Sequence, residues 1–164
     1  MKLFSKISVK ITALVAVIMF FFPLCSVSCS GVEVIEFTGV ELAVGKAVDM
    51  PDIGIEIEEI PQKLDGSPLV LAAIILAGIA FICALLLGIS RIFSILTGLS
   101  SVASLAIMII VMIGIDKKIA DEAGMVATVN FHIPYYILLI SLGATAVMGF
   151  LSFALHGKSH KYYF

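Results

Sequence analysis

Charged residues are scarce in this sequence. Only 13% of its 164 residues are Asp, Glu, Lys or Arg, whereas 61% are hydrophobic. A soluble domain carries about 25% charged residues, so the composition excludes a soluble globular protein and is typical of a chain embedded in a lipid bilayer. The length allows a single compact domain of a few membrane-spanning segments, with most apolar surface facing lipid.

Cysteines are also few, and catalytic motifs are lacking. Three cysteines cannot form a disulfide scaffold, and Cys83 lies in an apolar run where a small hydrophobic residue is expected. The sequence has no Ser/His/Asp order, phosphate-binding loop, CxxC motif, paired intramembrane carboxylate or nucleic-acid-binding signature. We therefore expect no enzymatic activity, no cofactor and no nucleic-acid partner.

Four apolar segments are present instead when a window of about 19 residues is used. They cover residues 7–27, 69–90, 92–115 and 133–156. The last three contain no charged residue, and each is long enough to cross a hydrocarbon core of about 30 Å. Pro68 and Pro134 lie where a helix tolerates proline, in its first turn. The sequence predicts an all-α membrane fold, a four-transmembrane-helix bundle that forms one domain over residues 1–164.

The orientation is predicted from where the charges lie. If the N-terminus is cytoplasmic, six of the ten Lys and Arg residues lie on the cytoplasmic side, and all twelve acids lie outside. Cytoplasmic loops are enriched in basic residues, so the sequence predicts that both termini are cytoplasmic. The outer loops are then residues 28–67 and 116–132, and Arg91 lies in a short cytoplasmic hairpin.

The first segment allows two interpretations. Its uncharged part, residues 11–24, is 14 residues long, closer to the apolar core of a signal peptide than to a span of about 20 residues. We favour a retained helix in which Lys10 reaches back to the interface. The alternative is a lipoprotein signal cleaved before Cys29, for which Ser26, Val27 and Ser28 are a partial match. Both place the following loop outside.

Cys25 and Cys29 would share one face of the first helix if that helix continued through them. A local disulfide is one interpretation, because they would lie on the oxidising side of the membrane. The other is that they are two small residues at the membrane boundary. Two thiols are too few to hold a metal ion, so we predict no metal site.

The first outer loop predicts a small folded cap. Residues 31–67 carry nine acids and two lysines. Residues 32–37 are rich in β-branched side chains and residues 54–58 alternate strictly, which predicts two strands. Between them, Thr38 and Glu41 match a capping box, and Gly45 is expected to end the short helix. The acids lack the spacing of a calcium-binding loop, so we expect a solvated acidic face. The second outer loop is expected to fold against this β-containing extracytoplasmic cap.

Small residues recur every four positions on the last three segments. They are Ala80, Ala84 and Gly88; Ser100 and Ser104; and Ser141, Thr145 and Gly149. This spacing allows helix backbones to approach closely in lipid. We expect these residues to pack the bundle internally, or alternatively to form the seam of a homo-oligomer. Because no ionisable residue lies inside these segments, an ion-coupled transporter is not favoured.

Two motifs carry a resemblance to a known group. Residues 23–31, PLCSVSCSG, are followed by residues 37–45, FTGVELAVG. The chain resembles small bacterial four-helix membrane proteins with a proline and a Val-Ser-Cys-Gly-like motif after the first helix, then a Thr/Ser-Gly-x-x-Leu-Ala-x-Gly segment. Ser30, before Gly31, departs from that pattern. The resemblance implies a bacterial inner-membrane protein and no particular chemistry. The layout is also similar in outline to claudin-like proteins, but the chain has no tryptophan and so lacks their first-loop signature.

The leading functional hypothesis is an accessory protein of the bacterial cytoplasmic membrane. Its partners would be the lipid bilayer and a protein bound through the acidic outer loop, residues 31–67. The alternatives are an oligomeric channel or small-solute transporter, with a polar lining formed by Ser100, Ser101, Ser104, Ser141 and Thr145, and an acylated lipoprotein.

Overall fold

The computed structural model describes residues 2–29, 32–47, 63–87, 90–122 and 127–158. Its helices are α1 (Lys2–Met19), α2 (Gly39–Val44), α3 (Pro68–Leu85), α4 (Arg91–Glu122) and α5 (Ile133–Lys158). Its strands are β1 (Pro23–Cys29), β2 (Val32–Thr38), β3 (Gly45–Ala47), β4 (Lys63–Asp65) and β5 (Ala127–Phe131). The fold is therefore mostly helical, with short strands between the long helices.

Three helices are long and apolar enough to cross a membrane. The qualifying stretches are Pro68–Leu85, Ile92–Gly114 and Ile133–Ala154, with mean hydropathies of 2.8, 2.3 and 2.1. They confirm the prediction of transmembrane helices in these three segments. The apolar part of α1, Ile7–Met19, is shorter.

The prediction that the first helix continues to Val27 is wrong. Helix α1 ends at Met19. Three backbone hydrogen bonds between residues three positions apart follow there, the last from Phe22 N–H to the Met19 carbonyl at 3.2 Å. Pro23 then begins strand β1. Proline has no N–H for the helix ladder and disfavours a helical residue before it, so the helix cannot pass through this point.

Other helix ends also differ from the predicted segments. Helix α3 begins at Pro68, as expected, but ends at Leu85 rather than near residue 90. Helix α4 continues to Glu122, seven residues beyond the predicted end at residue 115. The predicted second outer loop, residues 116–132, is therefore helical at its start and ends in strand β5.

Each of the four long helices contacts two of the others. Helix α1 contacts α3 and α5, and helix α4 also contacts α3 and α5. Their shared core contains Ala16, Phe20, Leu24, Ala73, Ala77, Met108, Tyr135, Leu138 and Leu142. A second cluster joins Val9 and Ala13 of α1 to Ala84 and Leu87. Ala13 and Ala84 are the small side chains of this cluster.

A three-stranded antiparallel sheet lies at the end of the helices where α1 stops and α5 starts. Strand β1 is central, with β2 on one side and β5 on the other. Because β1 follows α1 and β5 precedes α5, the sheet joins both connections at this end. Strand β5 therefore shares a sheet with β2 of the predicted cap, but it pairs with β1, most of which was predicted to be helix. The predicted strand at residues 32–37 is confirmed as β2, whereas residues 54–58 lie outside the described ranges.

The predicted capping box is confirmed at the start of α2. The Glu41 N–H donates to Thr38 Oγ1 at 3.2 Å, and the Thr38 N–H donates to Glu41 Oε2 at 2.9 Å. Gly45 ends the helix with φ 91°, a value that favours glycine. Strand β3 begins there and pairs with β4, which leads into α3. The box fixes the direction in which the chain leaves β2.

Candidate functional site

The central strand carries polar side chains on one face of the sheet. Ser26 lies directly opposite Glu36 of β2 and Asn130 of β5. Because alternate strand residues share a face, Ser28 lies on this face too. Asn130 Nδ2 donates to Ser28 Oγ at 3.0 Å. We call Ser26, Ser28, Glu36 and Asn130 the polar sheet face.

Within the polar sheet face, the central residues are covered and the flanking ones are open. Ser26 and Ser28 are buried, whereas Glu36 and Asn130 are exposed. The small serines lie between two longer side chains that carry an acceptor carboxylate and an amide with both donor and acceptor groups. The exposed carboxylate and amide can form hydrogen bonds with a second molecule.

The opposite face of the sheet is apolar. Cys25 pairs with Phe37 and Phe131, and Val27 pairs with Ile35 and Val129. Phe131 packs against the helix core, and its ring lies 4.9 Å from that of Tyr135. The apolar face therefore contacts the helix core through Phe131, and on the polar sheet face Glu36 and Asn130 are exposed.

Cys25 lies on the apolar face and is a free thiol. Burial raises the pKa of this thiol to about 11, so it stays protonated near neutral pH and is a poor nucleophile. The expected helical juxtaposition with Cys29 is replaced by an extended strand. Cα atoms four residues apart in a strand are separated by about 13 Å, beyond the roughly 7 Å that a disulfide spans.

One of the predicted packing residues, Ala84, lies where α1 meets α3. Ala80 and Ala84 are buried, and Ala84 contacts the α1 residues Val9 and Ala13 through the second core cluster. Gly88, the third member of that row, lies outside the described residues.

The predicted hydroxyl residues divide into two groups by their hydrogen bonds. Ser104 Oγ donates to the Ala73 carbonyl at 2.9 Å and links α4 to α3. Thr145 Oγ1 lies 3.0 Å from Thr12 Oγ1 and links α5 to α1, and it also donates to the Ser141 carbonyl of its own helix at 2.7 Å. In contrast, Ser100 and Ser141 donate to carbonyls of their own helices. Only the first pair holds different helices together.

Gly149 marks a close approach of α5 to α4. A Cβ atom at this position would lie 3.0 Å from the backbone nitrogen of Gly98. Ser94 Oγ donates to the Gly149 carbonyl at 2.8 Å across the same contact. The sequence reasoning missed Ser94 and Gly98, although they too are four residues apart, the same spacing that identified Gly149.

The described residues define a helical protein with three helices able to cross a membrane and a two-faced sheet at one end of them. Comparison of the chain with protein-family models, curated proteins and solved structures finds no match.

Proposed function

We propose that this protein is an accessory protein of a bacterial cytoplasmic membrane and that its outer cap binds a protein partner. The observation that carries the proposal is the two-faced sheet, whose apolar face contacts the helix core through Phe131 and whose polar sheet face has Glu36 and Asn130 exposed. A sheet that only sealed the helix ends would need the apolar face alone. The exposed Glu36 and Asn130 give the other face groups that a partner can recognise.

The charge of the first loop suggests the chemistry of that partner. Residues 31–67 carry nine acids and two lysines, a net charge of 2 − 9 = −7. Such a field attracts a basic surface and raises its association rate at low salt. We therefore propose a partner with a basic patch, bound more weakly as ionic strength rises.

The proposed arrangement in the membrane is a four-transmembrane-helix bundle with both termini cytoplasmic. The packing of α1 supports it, because Val9, Ala13 and Ala16 are buried against the other helices. Cleavage before Cys29 would remove these residues and most of the central strand β1. Under the lipoprotein alternative, the mature protein would therefore lack helix α1 and most of the central strand β1.

The channel alternative has less support. It requires a polar lining from five side chains, and all of them are buried inside one chain: Ser100, Ser101, Ser104, Ser141 and Thr145. Four of the five have a hydrogen-bond acceptor in the backbone of this chain. A pore between copies of the chain would need polar groups on the lipid-facing surface instead.

In-cell photo-crosslinking tests the proposal. A photoreactive amino acid is placed at Asn130 or Glu36, and at Ile140 as the matched control, because Ile140 is 71% exposed on a helix able to cross the membrane. We expect a discrete crosslinked protein from positions 36 and 130 that weakens with added salt, and none from position 140. Equal labelling at all three positions would contradict the proposal.

Two further outcomes separate the rivals. A crosslink between two differently tagged copies of this chain would identify a homo-oligomer in place of a partner. Solute flux into liposomes that Ser104→Leu abolishes, together with no crosslink at the polar sheet face, would favour the channel.

A further inference from the structure

A row of lysines follows helix α1 at the end of the helices opposite the sheet. Lys2, Lys6 and Lys10 are spaced four residues apart in this helix, so they lie on one face of it, one turn after another. We call this row the lysine face. Like charges at this spacing repel one another and weaken a helix, so an anion bound between them would stabilise it.

The lysine face begins at the level where helix α3 ends. Ala13 of α1 belongs to a core cluster with Ala84, which lies in the last turn of α3. Lys10 lies three residues before Ala13, so it is level with the end of α3. At 1.5 Å per residue, Lys6 and Lys2 lie about 6 and 12 Å further out along the helix axis. In a bilayer that the apolar part of α3 crosses, this is the depth of the lipid headgroups.

The lysine face borders both the contact with α3 and the exposed side of α1. Lys10 lies one turn from Ala13, which is buried in the cluster with α3, and one turn from Leu14, which is 42% exposed. Ile11 and Ile18 are exposed as well. The face therefore combines cations at headgroup depth with an apolar surface that continues one and two turns deeper.

No acidic side chain balances these lysines in the neighbouring helices. All twelve acids of the chain lie within residues 33–65 and 116–122. The second of these ranges is the far end of α4, about 37 Å from Arg91 at 1.5 Å per residue. Arg91 begins α4 and Lys158 ends α5, both at the same end of the helices as the lysine face. The charges in these helix ends are therefore all positive, and they attract anions.

We propose that the lysine face binds the phosphate group of an anionic phospholipid, whose acyl chains lie along the exposed apolar side of α1. Basic residues clustered beside a membrane-spanning helix attract anionic lipids. The apolar side favours a lipid over a free phosphate ion, since a soluble anion would gain nothing from Leu14 or Ile18. The bound lipid anchors a helix whose apolar part, Ile7–Met19, is shorter than those of the other long helices. The site lies at the other end of the helices from the sheet, so it does not depend on the proposed protein partner.

Photo-crosslinking to lipid tests the site. The full chain carries a photoreactive amino acid at Ile7 or at Leu151, which are 50% and 51% exposed, in vesicles with equal amounts of phosphatidylglycerol and phosphatidylcholine. The two positions lie at similar depth, five and six residues beyond the contact of Thr12 with Thr145. We expect the ratio of phosphatidylglycerol to phosphatidylcholine adducts to be higher at position 7, by about fivefold for each lysine engaged. Equal ratios at the two positions would overturn the proposal, because diffuse attraction to the whole helix end would explain them.

Three double variants then assign the groups that bind the anion. Lys6→Gln with Lys10→Gln should lower the ratio at position 7 to that at position 151, whereas Lys6→Arg with Lys10→Arg should keep it. Lys117→Gln with Lys118→Gln is the matched control, since it removes the same charge at the far end of α4 and should change neither ratio. An unchanged ratio without Lys6 and Lys10, or an equal fall in the control, would refute the assignment. The comparison of positions 7 and 151 needs no lysine variant, so it decides the proposal even if the glutamine variant fails to fold.

Discussion

Replacing Gly149 by alanine should weaken the α4–α5 contact. The new Cβ would lie 3.0 Å from Gly98 N and 3.3 Å from the Ser94 carbonyl, both of them backbone atoms that cannot rotate away. Overpacking of this kind costs about 1–3 kcal/mol. Alanine also favours a helix over glycine by about 1 kcal/mol, which partly offsets the cost.

Gly143→Ala is the matched control. Gly143 lies on the same helix, and a Cβ there would meet nothing within 4 Å, so the control keeps the helix-propensity gain without the clash. The two variants should differ in the free energy of unfolding by about 1–3 kcal/mol. For a chain of this size, about 2–4 °C of melting temperature corresponds to 1 kcal/mol, so the melting temperatures should differ by about 2–12 °C.

Thermal unfolding in detergent, followed by circular dichroism, measures this difference directly. Gly149→Ala should melt below Gly143→Ala. If the two variants melt together, or in the opposite order, the close approach of α4 to α5 is refuted. A variant with alanine at both positions should show the two effects adding, because the glycines have no shared contact.

Three further predictions concern other parts of the fold. The first concerns Cys25, in a variant whose other cysteines are alanine. Its maleimide labelling should be far slower at pH 8 than that of an unfolded chain and should become faster toward pH 11, because burial raises the pKa of the thiol and keeps it protonated. Labelling at the unfolded rate at pH 8 would contradict this. Thr38→Ala should cost about 0.5–2 kcal/mol of stability, and adding Glu41→Ala should cost less than the sum of the two single changes, since they share one capping box; full additivity would argue against it. Leu138→Ala should lower the free energy of unfolding by about 2–5 kcal/mol, whereas Ile140→Ala should change it by no more than about 0.5 kcal/mol, because of these two residues only Leu138 is buried in protein. Equal losses for the two variants would contradict the burial of Leu138 in the helix core.

The three long apolar helices were predictable because lipid imposes a simple rule on sequence. A helix that crosses a bilayer needs about 20 apolar residues, and an interruption by charge or proline marks its end. The capping box was equally readable, since both of its hydrogen bonds lie within four consecutive residues. Local signals of this kind do not depend on the rest of the fold.

The boundary between α1 and β1 was not predicted, for a physical reason. The apolar run continues without change through Phe20 and Leu24, so a hydropathy window sees one segment where the backbone changes from helix to strand. Pro23 was the available signal, and it belongs to the motif that follows the first helix, but the apolar segment was still extended to Val27. The error also placed Cys25 and Cys29 on a helical face instead of along a strand.

The polar sheet face could not be predicted from local sequence patterns. Ser28 and Asn130 are 102 residues apart, and their hydrogen bond depends on the register between two strands from different connections. Nothing in either short strand specifies its partner.

The central position of β1 has a consequence for biosynthesis. Its partner β5 is made only after α3 and α4 have left the ribosome, and at about 5–20 residues per second this interval lasts roughly 5–20 s. During that time one edge of β1 has unsatisfied backbone groups that other strands can capture. Under the proposed function, a partner that contacts both Glu36 and Asn130 would meet its full surface only on chains whose β5 has paired with β1.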